Sequence, residues 1–254
     1  MKMKIALIQL DIKWGDREYN LVKAKEIISH AENADLYLLP EMFTTGFATD
    51  PSGMAENDNL TLEWLKDMAK LKDAAIAATV AVEERGNYYN RLFFVKPDGN
   101  VSLYDKRHLF SYAGEDKQYQ NGEERRIVNW RGCRILLQIC YDLRFPVFSR
   151  SLDDYDLVIY LANWPESRVH VWDTLLKARA LENQSYVAGV NRIGDDPNCH
   201  YNGGTKLINP YGKVVKQCEN EKQEVVYADI DLDKLNEFKN KFTVLKDADK
   251  FKLL

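Results

Sequence analysis

Residues 134–146, Arg134-Ile135-Leu136-Leu137-Gln138-Ile139-Cys140-Tyr141-Asp142-Leu143-Arg144-Phe145-Pro146, join an apolar run to a polar turn with a cysteine at the junction. The first half is short and nearly continuous in Ile and Leu, the pattern of a buried strand, and it stops where charge and proline begin. A side chain at such a strand end is exposed, and the next backbone N–H can point at an oxyanion. Cys140 is therefore a candidate nucleophile, set against the commoner fate of a free cysteine as inert packing.

Two other apolar runs end in a reactive group. Leu38-Leu39-Pro40-Glu41 ends in a carboxylate, and Tyr104-Asp105-Lys106-Arg107-His108 carries an ammonium past its apolar start. Each charge alone reads as easily as a solvated surface group. A base, a fixed cation and a soft nucleophile at three strand ends are together what amide cleavage by covalent catalysis requires.

Further strand-like runs cover residues 5–10, 36–39, 75–82, 91–96, 101–104, 157–162 and 186–191. Apolar residues at three- and four-residue spacing predict amphipathic helices over 21–31, 60–70 and 171–182. Pro97-Asp98-Gly99-Asn100 and Asn209-Pro210-Tyr211-Gly212 favour tight reversals. The expectation is a mixed α/β body with sheet beneath helices. No repeat or linker divides residues 1–254, so a single domain is expected, with 231–254 as a C-terminal tail packing on its own or a neighbouring subunit.

With 45% hydrophobic and 29% charged residues the chain can bury a core and lies far from disordered compositions. A formal charge of −4 and a pI near 5.7 disfavour nucleic-acid and anionic-membrane partners, which need a basic stripe. The apolar stretch from Ile5 to Leu10 is too short for a signal segment or membrane span. Cys133, Cys140, Cys199 and Cys218 are widely spaced and form no metal-ligand pattern. A cytoplasmic, thiol-reduced protein without metal or organic cofactor is expected.

The segments Leu-Pro-Glu-Met-Phe at Glu41, Tyr-Asp-Lys-Arg-His-Leu-Phe at Lys106 and Cys-Tyr-Asp-Leu-Arg-Phe-Pro at Cys140, in that order, resemble the nitrilase, or carbon–nitrogen hydrolase, superfamily over residues 5–210. Ala162-Asn163-Trp164-Pro165 and Arg179-Ala180-Leu181-Glu182-Asn183-Gln184 narrow the likeness to bacterial omega-amidases acting on 2-oxoglutaramate and similar omega-amides of 2-oxo acids. The resemblance implies a four-layer α-β-β-α sandwich, a homodimer paired through outer helices, and a small-molecule amide substrate. It also implies Cys140 as nucleophile, Glu41 as general base and Lys106 as oxyanion stabiliser. A second glutamate is implied between Lys106 and Cys140; Glu115 suits the spacing to Tyr119 and Gly122 better than Glu123 or Glu124, with Asp116 its closest rival.

Around these, Tyr141 offers its backbone N–H to the oxyanion. Trp164 and Phe43 are candidate pocket walls, with a packed core ring as the alternative for each and for Phe47. Arg168 is the candidate partner for a substrate carboxylate, against an exposed surface arginine. Asp142 and Arg144 read as an ion pair fixing the turn, and His108 as a group that orients Lys106 or caps the turn. Tyr141-Asp142 after the cysteine disfavours nitriles. The competing readings are an amidase for deaminated glutathione and a catalytically silent interaction protein.

Overall fold

The computed structural model describes residues 1–249, 251 and 252. Its strands are β1 (Lys2–Gln9), β2 (Leu36–Leu38), β3 (Ala75–Glu84), β4 (Asn87–Val95), β5 (Val101–Asp105), β6 (Ile127–Trp130), β7 (Cys133–Ile139), β8 (Leu157–Ala162), β9 (Tyr186–Asn191), β10 (Ile193–Asp195), β11 (His200–Asn202), β12 (Lys206–Ile208), β13 (Val214–Gln217) and β14 (Glu224–Asp231). The α-helices are α1 (Arg17–His30), α2 (Leu60–Lys72), α3 (Pro146–Ser149), α4 (Val169–Asn183) and α5 (Leu232–Lys241).

One sheet has the order β14-β1-β2-β3-β4-β5 and the other β13-β12-β9-β8-β7-β6. β1, β2 and β3 run parallel, as do β7, β8 and β9, while the flanking strands pair antiparallel. Strand alternation divides the side chains between two layers. Met3, Ile5 and Leu7 of β1 meet Ile135, Leu137 and Ile139 of β7 in the core between the sheets. Ala6 and Ile8 instead face α1 and α2, through Leu21, Ala24, Ile28, Leu65 and Met68. Leu136 and Val158 face α4, through Trp172, Leu176 and Ala180. Both faces of the central strands are thus covered, which is why they read as continuous apolar runs. The result is the expected α-β-β-α sandwich.

The three helices expected from periodicity are present and slightly longer. Both expected reversals form: Gly99 and Gly212 take φ of 84° and 71°, and Asn209 closes the second turn by accepting from the Gly212 N–H at 2.9 Å. Six strands escaped the sequence reading, among them β13, exposed throughout, and β14, which carries polar residues at Glu224, Asp229 and Asp231. In the stretch expected as a tail, Asp231 ends β14 and caps α5 by accepting from the Lys234 N–H, and Leu232 and Leu235 enter the inter-sheet core. Residues 250, 253 and 254 of that tail lie outside the described residues.

Candidate active site

Two rows of alternate residues, Ala75-Ala77-Thr79 on β3 and Phe94-Leu92-Asn90 on β4, run along the inter-sheet face and turn polar at the same end. The row from Tyr104 on β5 continues to Lys106, and the row through Ile139 on β7 leads to Cys140. Glu41 follows β2, and Asn163 follows β8. The polar ends meet at one edge of the sandwich.

Lys106, 1% exposed, is the hub. Its Nζ lies 2.9 Å from Glu41 Oε1 and 2.9 Å from Glu115 Oε2, and both carboxylates are fully buried. Asn90 Nδ2 donates to Glu41 Oε1 at 2.8 Å and to Glu115 Oε1 at 3.1 Å. The Asn163 N–H donates to Glu41 Oε2 at 2.9 Å, tying the two sheets together. The Phe110 N–H donates to Glu115 Oε2 at 2.6 Å. Asp116 is exposed, so Glu115 is the acid that the fold brings to Lys106.

Burial works against the Lys106 charge, but the facing Glu115 and Glu41 carboxylates hold the ammonium above the ordinary lysine range. Burial pushes the Glu115 carboxyl up; Lys106 pulls it down and the neighbouring Glu41 charge adds to the rise, which prevails. Cys140 keeps partial exposure at the cavity, while its enclosed surroundings, then the charge of Glu41, push the thiol well above its ordinary value against the pull of Lys106. Cys140 also takes φ of 40°, left-handed backbone that a non-glycine residue adopts only when the surroundings impose it.

The turn that imposes it is anchored by Asp142. This buried carboxylate accepts from the Ile139 N–H at 2.9 Å, the Tyr104 hydroxyl at 2.7 Å and the His108 N–H at 3.0 Å, with His108 Nδ1 at 2.8 Å. Asp142 therefore fixes the turn through Tyr104 and His108, and the expected pairing with Arg144 is replaced. His108 stacks on Phe145 at 3.8 Å between ring centroids, which makes it a brace of this turn.

The site opens into a cavity of about 610 Å³ whose lining includes Glu41, Lys106, Cys140, Tyr141, Trp164 and Arg168. Trp164 lines the cavity, its Nε1 donates to Arg168 O at 2.8 Å and its ring packs on Trp172. Phe43 does not line the cavity: it is fully buried on the helix side of the first sheet, 5.7 Å from Trp64, because the chain after Glu41 turns it away from the site. Phe47 takes that place, its ring 4.9 Å from Lys106 Nζ.

Arg168 and Arg144 both line the cavity, over the rings of Phe110 and Trp164 at 5.5 and 4.9 Å. Among the described residues neither has a carboxylate partner, whereas the lining carboxylate of Asp196 is already engaged by the N–H groups of Asn198 and Cys199 and the Tyr201 hydroxyl. Sequence reasoning missed Asn90, although an amide two residues before the apolar run Leu92-Phe93-Phe94-Val95 is a visible signal. It also missed Trp14, the loop bearing Ala48 and the short strand β11 bearing Tyr201, which carry no local mark of a pocket. No group of three or more His, Cys, Asp or Glu side chains among the described residues is arranged to hold a metal ion.

The family model for carbon-nitrogen hydrolases matches residues 4–240. The chain is 44% identical over 253 residues to Omega-amidase YafV of Yersinia enterocolitica, covering 99% of both chains. It is 33% identical over 257 residues to the 2-oxoglutaramate amidase of Bacillus subtilis, covering 98% of this chain and 99% of the other. Among solved structures, XC1258 of Xanthomonas campestris, described as a CN-hydrolase superfamily protein with an arsenic adduct in its active site, superposes with a TM-score of 0.97 at 38% identity over the full length of both chains.

Proposed function

This chain belongs to the carbon–nitrogen hydrolase family, and from that premise we propose that it is an omega-amidase, hydrolysing the terminal amide of small 2-oxo acid omega-amides such as 2-oxoglutaramate to the dicarboxylate and ammonia. The observation that carries the reading is the buried Glu41–Lys106–Glu115 cluster beside Cys140, on a cavity that also holds two arginines without carboxylate partners. Near-full-length identity to an omega-amidase and to a 2-oxoglutaramate amidase supports the same conclusion.

In the proposed mechanism Glu41 takes the Cys140 thiol proton as the sulfur attacks the amide carbon. Because the resting thiol is held protonated, transfer and attack are coupled. The oxyanion is stabilised by the Lys106 ammonium and the Tyr141 backbone N–H. Glu41 returns the proton to the departing nitrogen, ammonia leaves, and a thioester remains. A water molecule deprotonated by Glu41 attacks that thioester, releasing the new carboxylate and restoring the thiol. Glu115 holds Lys106 and aligns the amide.

The distal end of the substrate carries a carboxylate beside a ketone. Arg168, with Arg144 beside it, is the proposed receptor for that carboxylate. The same two cations disfavour the α-ammonium of glutamine, which gives selection for the oxo acid over the amino acid. The proposal extends to a single-domain enzyme working in the cytoplasm as a homodimer. Exposed Leu181, Tyr211, Phe242 and Val244 offer apolar surface for pairing, and light scattering on the purified protein tests it.

The direct test is ammonia release from 2-oxoglutaramate, glutamine and a simple nitrile by wild type and Cys140→Ala. Turnover of the oxo-amide alone, abolished by the substitution, is expected. An inert wild type on 2-oxoglutaramate overturns the assignment.

A further inference from the structure

We propose that Asn90, locked by Thr79, is a positioning residue that aims one oxygen of Glu41 at Cys140; the proposal rests on the reading of Glu41 as the base. Three neighbouring groups give the hydrogen bonds a single consistent direction. The Met42 backbone N–H can only donate, and it donates to Thr79 Oγ1 at 2.7 Å. The hydroxyl proton of Thr79 is then free for Asn90 Oδ1, 3.1 Å away. With its oxygen so engaged, the Asn90 amide turns both N–H bonds outward, one to Glu41 Oε1 and one to Glu115 Oε1. The flipped amide would set its oxygen against two carboxylates, so the orientation is unique. Thr79 and Asn90 are both fully buried, so the orientation is held by protein groups and not by bulk solvent.

The consequence falls on Glu41. Its Oε1 already receives two donors, Lys106 Nζ and Asn90 Nδ2, and has no lone pair left for a proton in transit. Among the described residues its Oε2 receives the Asn163 N–H alone, leaving one lone pair. The thiol proton of Cys140 therefore passes to Oε2, and Asn90 is one of the groups that keep the carboxylate from rotating to exchange the two oxygens. Asn90 also supplies a neutral bridge between two carboxylates that share one lysine. The titratable groups facing Glu41 are Lys106, Glu115, Cys140 and, behind Glu115, Tyr119. Lys106 also donates to both acids, so Asn90 is the neutral donor that they share beside that charged one.

The experiment is the pH dependence of kcat/KM for 2-oxoglutaramate in Asn90→Ala, Thr79→Val, Thr79→Ser and Glu41→Gln, with melting temperature and near-UV circular dichroism recorded for each. Asn90→Ala is expected to lose about ten- to a hundredfold in kcat/KM, mostly in kcat, with the acidic limb moved to higher pH, because a donor to the charged form is gone. Thr79→Val is expected to reproduce the displaced limb with a smaller loss, and Thr79→Ser, which keeps the hydroxyl, to restore the wild-type profile. Should Asn90→Ala and Thr79→Val leave the limb where it is, whatever they do to the melting temperature, the relay is merely structural and the proposal fails. Glu41→Gln separates the two levels: if it remains active, the reading of Glu41 as base falls, irrespective of the Asn90 result.

Discussion

Cys140 is a nucleophile candidate whose thiol is pushed up rather than down, so its reactivity depends on what takes its proton. Glu41 has two opposing effects on it: its charge repels a thiolate, and its free Oε2 lone pair can accept the proton. Alkylation by iodoacetamide tells these apart. If the carboxylate acts as base, Glu41→Gln slows labelling of Cys140 by at least about tenfold; if it acts only by repulsion, the substitution speeds labelling. Cys133 and Cys218, buried and also pushed up, serve as unreactive internal standards. On the same cavity lining, Arg168→Ala is expected to raise KM for 2-oxoglutaramate by about ten- to a hundredfold and to leave turnover of a short amide without a carboxylate within about threefold, measured by ammonia release. An equal loss on both amides would remove Arg168 from carboxylate recognition.

The elements explain which parts of the site could be read from the chain. A strand end is local: apolar run, then reactive residue, and Glu41, Lys106 and Cys140 all carry that mark. Tyr104 and Lys106 also share parity, so a reader who counts by two from a core tyrosine arrives at the buried lysine. Glu115 lies on a 3₁₀ turn between strands, where no periodicity points inward, and only its likeness to a family pattern separated it from Asp116. Phe43 misled for the converse reason. An aromatic two residues past the base looks like a pocket wall, but the positive φ of Met42 reverses the chain and sends the ring into the helix layer. The layers themselves depend on details as small as a missing methyl. A Cβ on Gly189 of β9 would lie 2.5 Å from Leu176 Cδ1 and 2.6 Å from Trp172 Cζ2, so α4 sits close to its sheet because that position is bare. Gly189→Ala is expected to destabilise the fold by about 1–3 kcal/mol in urea denaturation. Gly53→Ala, where nothing among the described residues stands within 4 Å of the added Cβ, is the control: it bears the cost of its positive φ and no such clash.

At the scale of the whole molecule, the C-terminal helix is joined to the second sheet by charge as well as by Leu232 and Leu235. Asp156, between α3 and β8, accepts from Arg134 Nη2 at 2.7 Å and Arg134 Nε at 3.0 Å, with Lys239 of α5 at 3.6 Å. Burial alone would raise this carboxyl, but its hydrogen bonds from Arg134, followed by the charges of Arg134 and Lys239, hold it below the ordinary aspartate range. A lowered folded value means that the stabilisation is complete above the unfolded aspartate range, near pH 4, and is lost as pH falls through the folded value. Glu115 has the opposite sign: its raised folded value lets the native state take up a proton before the unfolded chain does, which offsets part of the acid loss. Comparing wild type with Asp156→Asn isolates the first effect, since Glu115 is common to both. The variant is expected to be less stable at pH 7 by on the order of 1–2 kcal/mol, a figure already reduced for the partial exposure of Arg134. That difference should hold down to about pH 5, begin to narrow near pH 4 and go on closing as pH falls through the lowered folded value. Urea midpoints at pH 7, 5, 4 and 3 measure it. A gap that did not narrow at all between pH 5 and pH 3 would mean that Asp156 stabilises the junction of sheet and helix by its shape and hydrogen bonds and not by its charge.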